Sequence, residues 1–127
     1  MVLSLDAIDV VKEPTFPLQQ RISLAAFTSY RVGGKADWFT LPKTSSDIAA
    51  SLQWAQIHEL PVTFLGAGSN LLVSDRGLQG LVVCTRHLRG VDFDETTGQL
   101  TAAAGEPLPN LAWKAARRGW RGLEWAV

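Results

Sequence analysis

Apolar positions in the first half of the chain alternate between strand-like and helix-like spacing. Ala36–Leu41 predicts a strand that ends at Pro42. Thr44, followed by Asp47 three residues later, is a variant of the capping box and predicts the start of a helix. The apolar stripe of that helix consists of Ile48, Leu52, Ala55, Ile57 and Leu60. Since Pro61–Leu65 predicts a buried strand, the stretch favours a βαβ unit with a parallel strand pair and a right-handed crossover.

The remaining pattern predicts short strands and a second helix. Phe27–Val32 is predicted to be a strand or an extended lead-in. The later predicted strands cover residues 71–74, 80–85, 90–94 and 99–104. Thr97–Gly98 is a favourable hairpin turn between the last two. A second helix is predicted from Pro107 to Arg118, with Gly119 placed to terminate it. The predicted fold class is therefore α+β.

The organisation along the chain predicts one domain. Residues 1–26 are predicted to be an N-terminal extension with a short helix over Ser4–Val11, and residues 27–127 to be the domain. The chain ends in an apolar stretch, Leu123–Val127, whereas domains usually end at polar positions. We therefore expect the domain to be incomplete at its C-terminal end. Exposure of this stretch would favour self-association.

Composition narrows the classes of partner. The chain has 12 Lys and Arg and 12 Asp and Glu, so its net charge is zero and predicts neither nucleic acid nor an anionic membrane as a partner. The single cysteine, Cys84, forms no internal disulfide and suits a reducing compartment. The N-terminus lacks a basic region followed by an apolar one, and no apolar run approaches the roughly 20 residues of a membrane span. We therefore expect a cytoplasmic protein.

The segment with the strongest chemical content is Leu65–Val73, where glycine, serine and asparagine separate two apolar runs. Glycine permits positive φ and a close approach of ligand to the main chain. Successive N–H groups in such a bend form a nest for phosphate, and Ser69 and Asn70 add side-chain donors. No Gly-Lys-Ser/Thr follows, so the segment is not a P-loop, and a strand instead of a helix is predicted after it. The pattern fits a strand–loop–strand pyrophosphate site and an ordinary glycine-rich turn equally well.

Several ordered motifs together resemble one family, the UDP-N-acetylenolpyruvoylglucosamine reductases, also called UDP-N-acetylmuramate dehydrogenases. The resemblance extends over most of Phe27–Val127. The motifs that carry it are Tyr30–Asp37, Pro61–Leu72, Gly77–Val83, Ala104–Gly105 and Gly122–Ala126.

The resemblance implies an FAD-binding domain of the vanillyl-alcohol oxidase and p-cresol methylhydroxylase type. It also implies that NADPH reduces the flavin and that a UDP-sugar enolpyruvate is converted to UDP-N-acetylmuramate for peptidoglycan precursors. The residues that match the family's flavin loop, and are expected to contact FAD, are Gly66, Ala67, Gly68, Ser69, Asn70 and Leu71. The family's second flavin loop, its catalytic arginine, serine and glutamate and its substrate domain would follow Val127. This chain is therefore expected to hold no catalytic residue, to be inactive alone and to bind FAD weakly or not at all.

Other function classes and other residues remain open alternatives. The chain could be a non-catalytic nucleotide-binding module or another FAD oxidoreductase of the same fold. Tyr30 and Arg31 mark a second site region, where a phosphate contact and an exposed arginine are equally consistent; Arg86 and Arg89 are weaker candidates of the same kind. The two histidines are predicted to be solvated, Cys84 to be a core residue and the tryptophans to serve mainly packing. The acidic residues of the hairpin are predicted to be its solvent face, so no metal site is expected: Asp92, Asp94 and Glu95.

Overall fold

The structure is a computed structural model that describes residues 14–127, so the helix predicted at Ser4–Val11 lies outside the described residues. It contains two sheets and two α-helices. The main sheet consists of four strands: β1 (Gln19–Ser23), β2 (Lys35–Thr40), β3 (Val62–Leu65) and β4 (Leu78–Cys84). The strand order is β1-β2-β4-β3. Mixed helices and strands confirm the predicted α+β class.

The predicted βαβ unit is present with a different pairing. Helix α1 (Ser45–Ile57) connects β2 to β3 as expected. However, β2 and β3 do not pair with each other, because β4 lies between them and is parallel to both. A strand that follows later in the chain thus takes the central position of the sheet.

The start of α1 is determined locally, as the sequence predicts. The Thr44 hydroxyl accepts the Asp47 N–H at 3.1 Å, and the Asp47 carboxylate accepts the Thr44 N–H at 3.2 Å. The same carboxylate also accepts the Lys43 N–H at 3.0 Å. These bonds satisfy N–H groups that have no partner within the helix, and they confirm the capping box.

Strand β1 was not predicted, since the sequence analysis assigned its residues to an N-terminal extension. It pairs antiparallel with β2, with Gln19 opposite Phe39 and Ser23 opposite Lys35. Leu24, directly after it, is fully buried in the core. Residues 19–24 are therefore part of the sheet and the core.

The second sheet is the predicted hairpin. Strands β5 (Val91–Asp94) and β6 (Gln99–Ala102) pair antiparallel, and Gly98 in their turn has φ +72°. Helix α2 (Leu108–Arg117) follows, and Gly119 stands after its end with φ +74°. Both features confirm the sequence prediction, although β6 ends two residues earlier than expected. Neither α-helix is long and apolar enough to cross a membrane, within residues 14–127.

Two predicted strands are absent from the structure. Phe27–Val32 is predicted to be extended, but a short 3₁₀ helix ends at Phe27 and irregular structure follows. Residues 71–74 are irregular and cover one face of the main sheet. Val73 is buried there and Leu71 is half-buried, while Leu72 is 71% exposed. Their alternating burial mimics a strand, but the segment pairs with no strand of the sheet, and Val73 packs in the core instead.

Candidate functional site

The glycine loop, which we define as Gly66–Leu71, begins where β3 ends at Leu65. Gly66, Ala67, Ser69 and Asn70 are exposed, Leu71 is half-buried and Gly68 is buried. The predicted strand before the loop is present, but it is not buried as expected: only Leu65 is buried and Phe64 is 56% exposed. The loop runs into the irregular segment over the sheet, so the strand expected directly after it is wrong; the next strand is β4.

Gly68 is required by close packing of two backbones. Its φ is +72°, and a Cβ atom there would collide with the Phe27 carbonyl oxygen and lie 2.8 Å from the Thr28 Cα. The Gly68 carbonyl also accepts the Ser29 N–H at 3.0 Å. This glycine therefore serves the fold, since any side chain would separate the loop from residues 27–29.

Gly66 has a different environment. Its φ lies outside the left-handed region, and a Cβ atom there would meet no protein atom within 4 Å. Its carbonyl accepts the thiol of Cys84 at 3.8 Å. The protein itself thus does not require glycine here, which leaves room for a ligand close to the main chain.

The backbone donors of the loop are available. The ladder between β3 and β4 ends at the pair Leu65–Cys84, before the loop begins. Within residues 14–127, no turn, loop or cap hydrogen bond has its donor among the N–H groups of Gly66–Leu71. N–H groups without a protein partner, next to open space at Gly66, fit the oxygens of a diphosphate.

Two side chains lie against this region: Cys84, the last residue of β4, and Arg86, two residues later. Cys84 is fully buried, and burial raises the pKa of its thiol although the nearby Arg86 opposes that shift. The thiol is therefore a protonated donor at neutral pH and not a redox centre exposed to solvent. Arg86 is half-buried, and its Nη2 donates to the Phe27 carbonyl at 3.3 Å.

The sequence does not indicate that residues 27–29 support Gly68. No local motif marks Phe27 or Ser29, because their importance comes from contact with a loop about 40 residues away. A glycine with positive φ indicates that some group approaches closely, but it does not indicate which group.

The second predicted site region is explained mainly by packing. A Cβ atom on Gly33 would lie 2.7 Å from that of Val73, and one on Gly34 would collide with the backbone of Asp75. Tyr30 and Arg31 are exposed. A phosphate contact of Arg31 stays a prediction. A cleft of about 640 Å³ lies beside the two glycines, and its lining includes Arg21, Lys35, Asp37, Asp75 and Arg76.

The other candidate residues have structural partners or lie apart from the loop. His58 is exposed, stacks on Trp54 with a 4.3 Å centroid separation, and bonds the Trp54 carbonyl through Nδ1. Asp94 accepts the N–H groups of Thr96 and Thr97 in the hairpin turn. Trp38 packs on Trp54 at 5.0 Å, as predicted for a packing role.

Three of the remaining side chains lie on the surface of the α2 region. The Arg118 Nη1 donates to the Glu95 carboxylate at 2.9 Å, and this ion pair joins the hairpin to the end of α2. Trp113 is 60% exposed, so the prediction that it is a core or half-buried residue is wrong. Trp125 is also exposed. None of these three side chains makes a hydrogen bond or ion pair with the glycine loop among residues 14–127.

This chain is similar to known proteins over most of its length. Residues 36–127 match the family model described as FAD binding domain. The chain is 59% identical to the UDP-N-acetylenolpyruvoylglucosamine reductase of Synechocystis sp., over 87% of this chain and 35% of that protein. It is 60% identical to the enzyme of the same name from Synechococcus elongatus, over 87% of this chain and 36% of that protein.

A solved structure agrees with these relatives. The crystal structure of UDP-N-acetylenolpyruvylglucosamine reductase from Thermus caldophilus aligns with a TM-score of 0.61 and 30% identity, over 86% of this chain and 36% of that one. The chain spans about a third of the length of the relatives it matches. The FAD-binding fold expected from the sequence is confirmed. The chain therefore belongs to the FAD binding domain family, and over most of its length it is similar to the UDP-N-acetylenolpyruvoylglucosamine reductases.

Proposed function

We propose that this chain binds FAD weakly and that the glycine loop, Gly66–Leu71, holds the diphosphate of that cofactor. The observation that carries the proposal is the state of the loop's donors. They lie outside the β-ladder and are not used in the turn, loop and cap hydrogen bonds of residues 14–127. An anion with several oxygens can accept from such donors, and bonds to a charged acceptor are stronger than neutral ones.

The residues present fit the cofactor in a second respect. A diphosphate that accepts hydrogen bonds from backbone N–H groups must approach the main chain closely, and the space beside Gly66 permits this. Ser69 and Asn70 are exposed and add polar side chains to the same bend. When bound, FAD supplies hydride-transfer chemistry, while the protein supplies binding and orientation.

For the whole protein we propose the reduction of UDP-N-acetylglucosamine enolpyruvate to UDP-N-acetylmuramate, with NADPH as reductant, in the cytoplasm and for peptidoglycan precursors. The 59–60% identity to relatives named UDP-N-acetylenolpyruvoylglucosamine reductase supports this proposal. In this proposal residues 27–127 are the FAD-binding domain. We add β1 to it because β1 pairs with β2. The catalytic groups belong to sequence not contained in these residues, so we expect no turnover by this chain alone. Self-association through the Leu123–Val127 stretch is a further expectation, and exposure of Trp125 and Val127 supports it.

A comparison of FAD with riboflavin tests the role of the loop, because riboflavin has the isoalloxazine ring but no diphosphate. We expect FAD to bind at least about a hundredfold more tightly, since two or more charge-assisted hydrogen bonds at about 1.5–3 kcal/mol each are lost with riboflavin. Binding is measured by isothermal titration and by quenching of flavin fluorescence. ADP should compete with FAD. Equal affinity for FAD and riboflavin, or no binding of FAD, would contradict the proposal.

A further inference from the structure

The glycine loop rests on a support formed by residues 27–29. The Ser29 N–H donates to the Gly68 carbonyl at 3.0 Å, and the Phe27 carbonyl and Thr28 Cα lie directly against the Gly68 Cα. Because Gly68 has no side chain, any displacement of this support would move the loop backbone itself. The position of the Phe27 carbonyl therefore determines the position of the loop.

The side chain of Arg86, which follows the end of β4, contacts this support. Its Nη2 donates to the Phe27 carbonyl at 3.3 Å, across 59 residues of sequence. The guanidinium carbon also lies 5.3 Å from the centroid of the Phe27 ring. That ring packs on Phe39 of β2, with centroids 4.6 Å apart. One arginine thus fixes both the carbonyl and the ring of Phe27 relative to the core.

The chain at the end of β4, just before Arg86, contacts the loop as well. Cys84, two residues earlier, donates its thiol to the Gly66 carbonyl. Arg86 has no carboxylate partner among the described residues, 14–127, in which the ion pairs are those of Arg89 with Glu106 and of Arg118 with Glu95. Its charge therefore remains uncompensated beside a loop whose free groups are donors, an arrangement that favours an anion.

We propose that Arg86 is a positioning residue for the glycine loop: it holds the Phe27 carbonyl against Gly68 and thereby keeps the loop amides in the arrangement that binds diphosphate. This inference rests on the proposed function for the step from loop to FAD. The step from Arg86 to the loop does not depend on it, and it can be measured without any ligand.

The experiment uses Arg86→Met, which keeps much of the aliphatic stem but removes the charge and the donors, and Arg86→Lys, which keeps a cation and a donor. Arg118→Met is the matched control, because Arg118 is also an arginine that lies over a phenylalanine ring, that of Phe93, and its charge is paired with Glu95. Hydrogen–deuterium exchange of the ligand-free protein is followed at the Ser29 N–H, which donates to the Gly68 carbonyl, and for peptides from β2 and β4. FAD affinity is then measured by titration on the same samples.

We expect Arg86→Met to speed exchange of the Ser29 N–H by about tenfold, while peptides of β2 and β4 stay protected, since one charge-assisted hydrogen bond that holds the support is lost. FAD affinity should fall by about tenfold, equivalent to about 1.4 kcal/mol. Arg86→Lys should recover most of both effects, and Arg118→Met should change neither by more than about twofold.

The possible failures are distinguishable. Unchanged exchange of the Ser29 N–H in Arg86→Met would overturn the inference, whatever FAD does. Faster exchange there with unchanged FAD affinity would also overturn it, because the contact between residue 29 and the loop would then not control binding. General loss of protection in β2 and β4 that Arg86→Lys does not rescue would assign Arg86 to the core instead. Absence of FAD binding by the unsubstituted protein contradicts the proposed function, and the exchange data still decide whether Arg86 positions the loop.

Discussion

The two glycines of the loop are expected to respond to the same substitution in opposite ways. Gly66→Ala adds a methyl group that meets no protein atom within 4 Å at an ordinary φ. Such a replacement restricts the unfolded chain, so the free energy of unfolding should be unchanged or rise by about 0.4–1 kcal/mol. The same methyl occupies the space that we propose for the diphosphate. Loss of one charge-assisted bond, about 1.5–3 kcal/mol, lowers FAD affinity by about tenfold or more.

Gly68→Ala places its methyl group against the Phe27 carbonyl at φ +72°. The left-handed conformation costs roughly 1–2 kcal/mol for a residue with a Cβ, and overpacking adds about 1–3 kcal/mol. We therefore expect a loss of about 3 kcal/mol in stability. At a few degrees per kcal/mol, this lowers the Tm by roughly 10 °C or more.

The assay compares thermal unfolding, followed by circular dichroism without ligand, with FAD titration at a temperature well below both transitions. Gly66→Ala should keep its Tm and lose affinity, whereas Gly68→Ala should lose its Tm. If Gly66→Ala binds FAD as the unsubstituted protein does, no ligand approaches the main chain there and the loop proposal fails. If both variants lose the same stability, the distinction between their environments is wrong.

Three further predictions concern local chemistry. Burial raises the pKa of Cys84 above its ordinary 9.0, so native protein should react with iodoacetamide at pH 8 far more slowly than unfolded protein, and equal alkylation rates would contradict this. The free energy of unfolding should be retained below pH 9.0 and should decline as the pH rises toward the raised pKa. Thr44→Ala should cost about 1 kcal/mol in urea unfolding by removing the helix cap, and no shift in the urea midpoint would argue against that cap. The Thr97 side chain, and after it the N–H groups of Thr96 and Thr97, hold the pKa of Asp94 below its ordinary 3.8. Asp94→Ala should therefore lower the Tm at pH 7, and the Tm difference from the unsubstituted protein should shrink as the pH falls through the lowered pKa. A Tm difference that is the same at all pH values would refute this prediction.

The sequence alone was sufficient for features set within a few residues. The Thr44–Asp47 cap, the hairpin turn at Gly98 and the end of α2 at Gly119 all depend on local backbone conformation and short-range hydrogen bonds. The glycine loop was also located from sequence, because two glycines between apolar runs predict a bend. Its family resemblance identified the FAD-binding fold, which the comparisons then confirmed.

Tertiary structure alone decided which strands pair and what each loop residue does. The apolar run Leu71–Val73 predicts a strand, but β4, which comes later in the chain, pairs with β3, and Val73 packs in the core without joining a ladder. Gly66 and Gly68 are indistinguishable as letters, yet one faces open space and the other the Phe27 carbonyl. The bond from Arg86 to Phe27 joins residues 59 positions apart, and no local pattern encodes a contact that exists only once the sheet has formed.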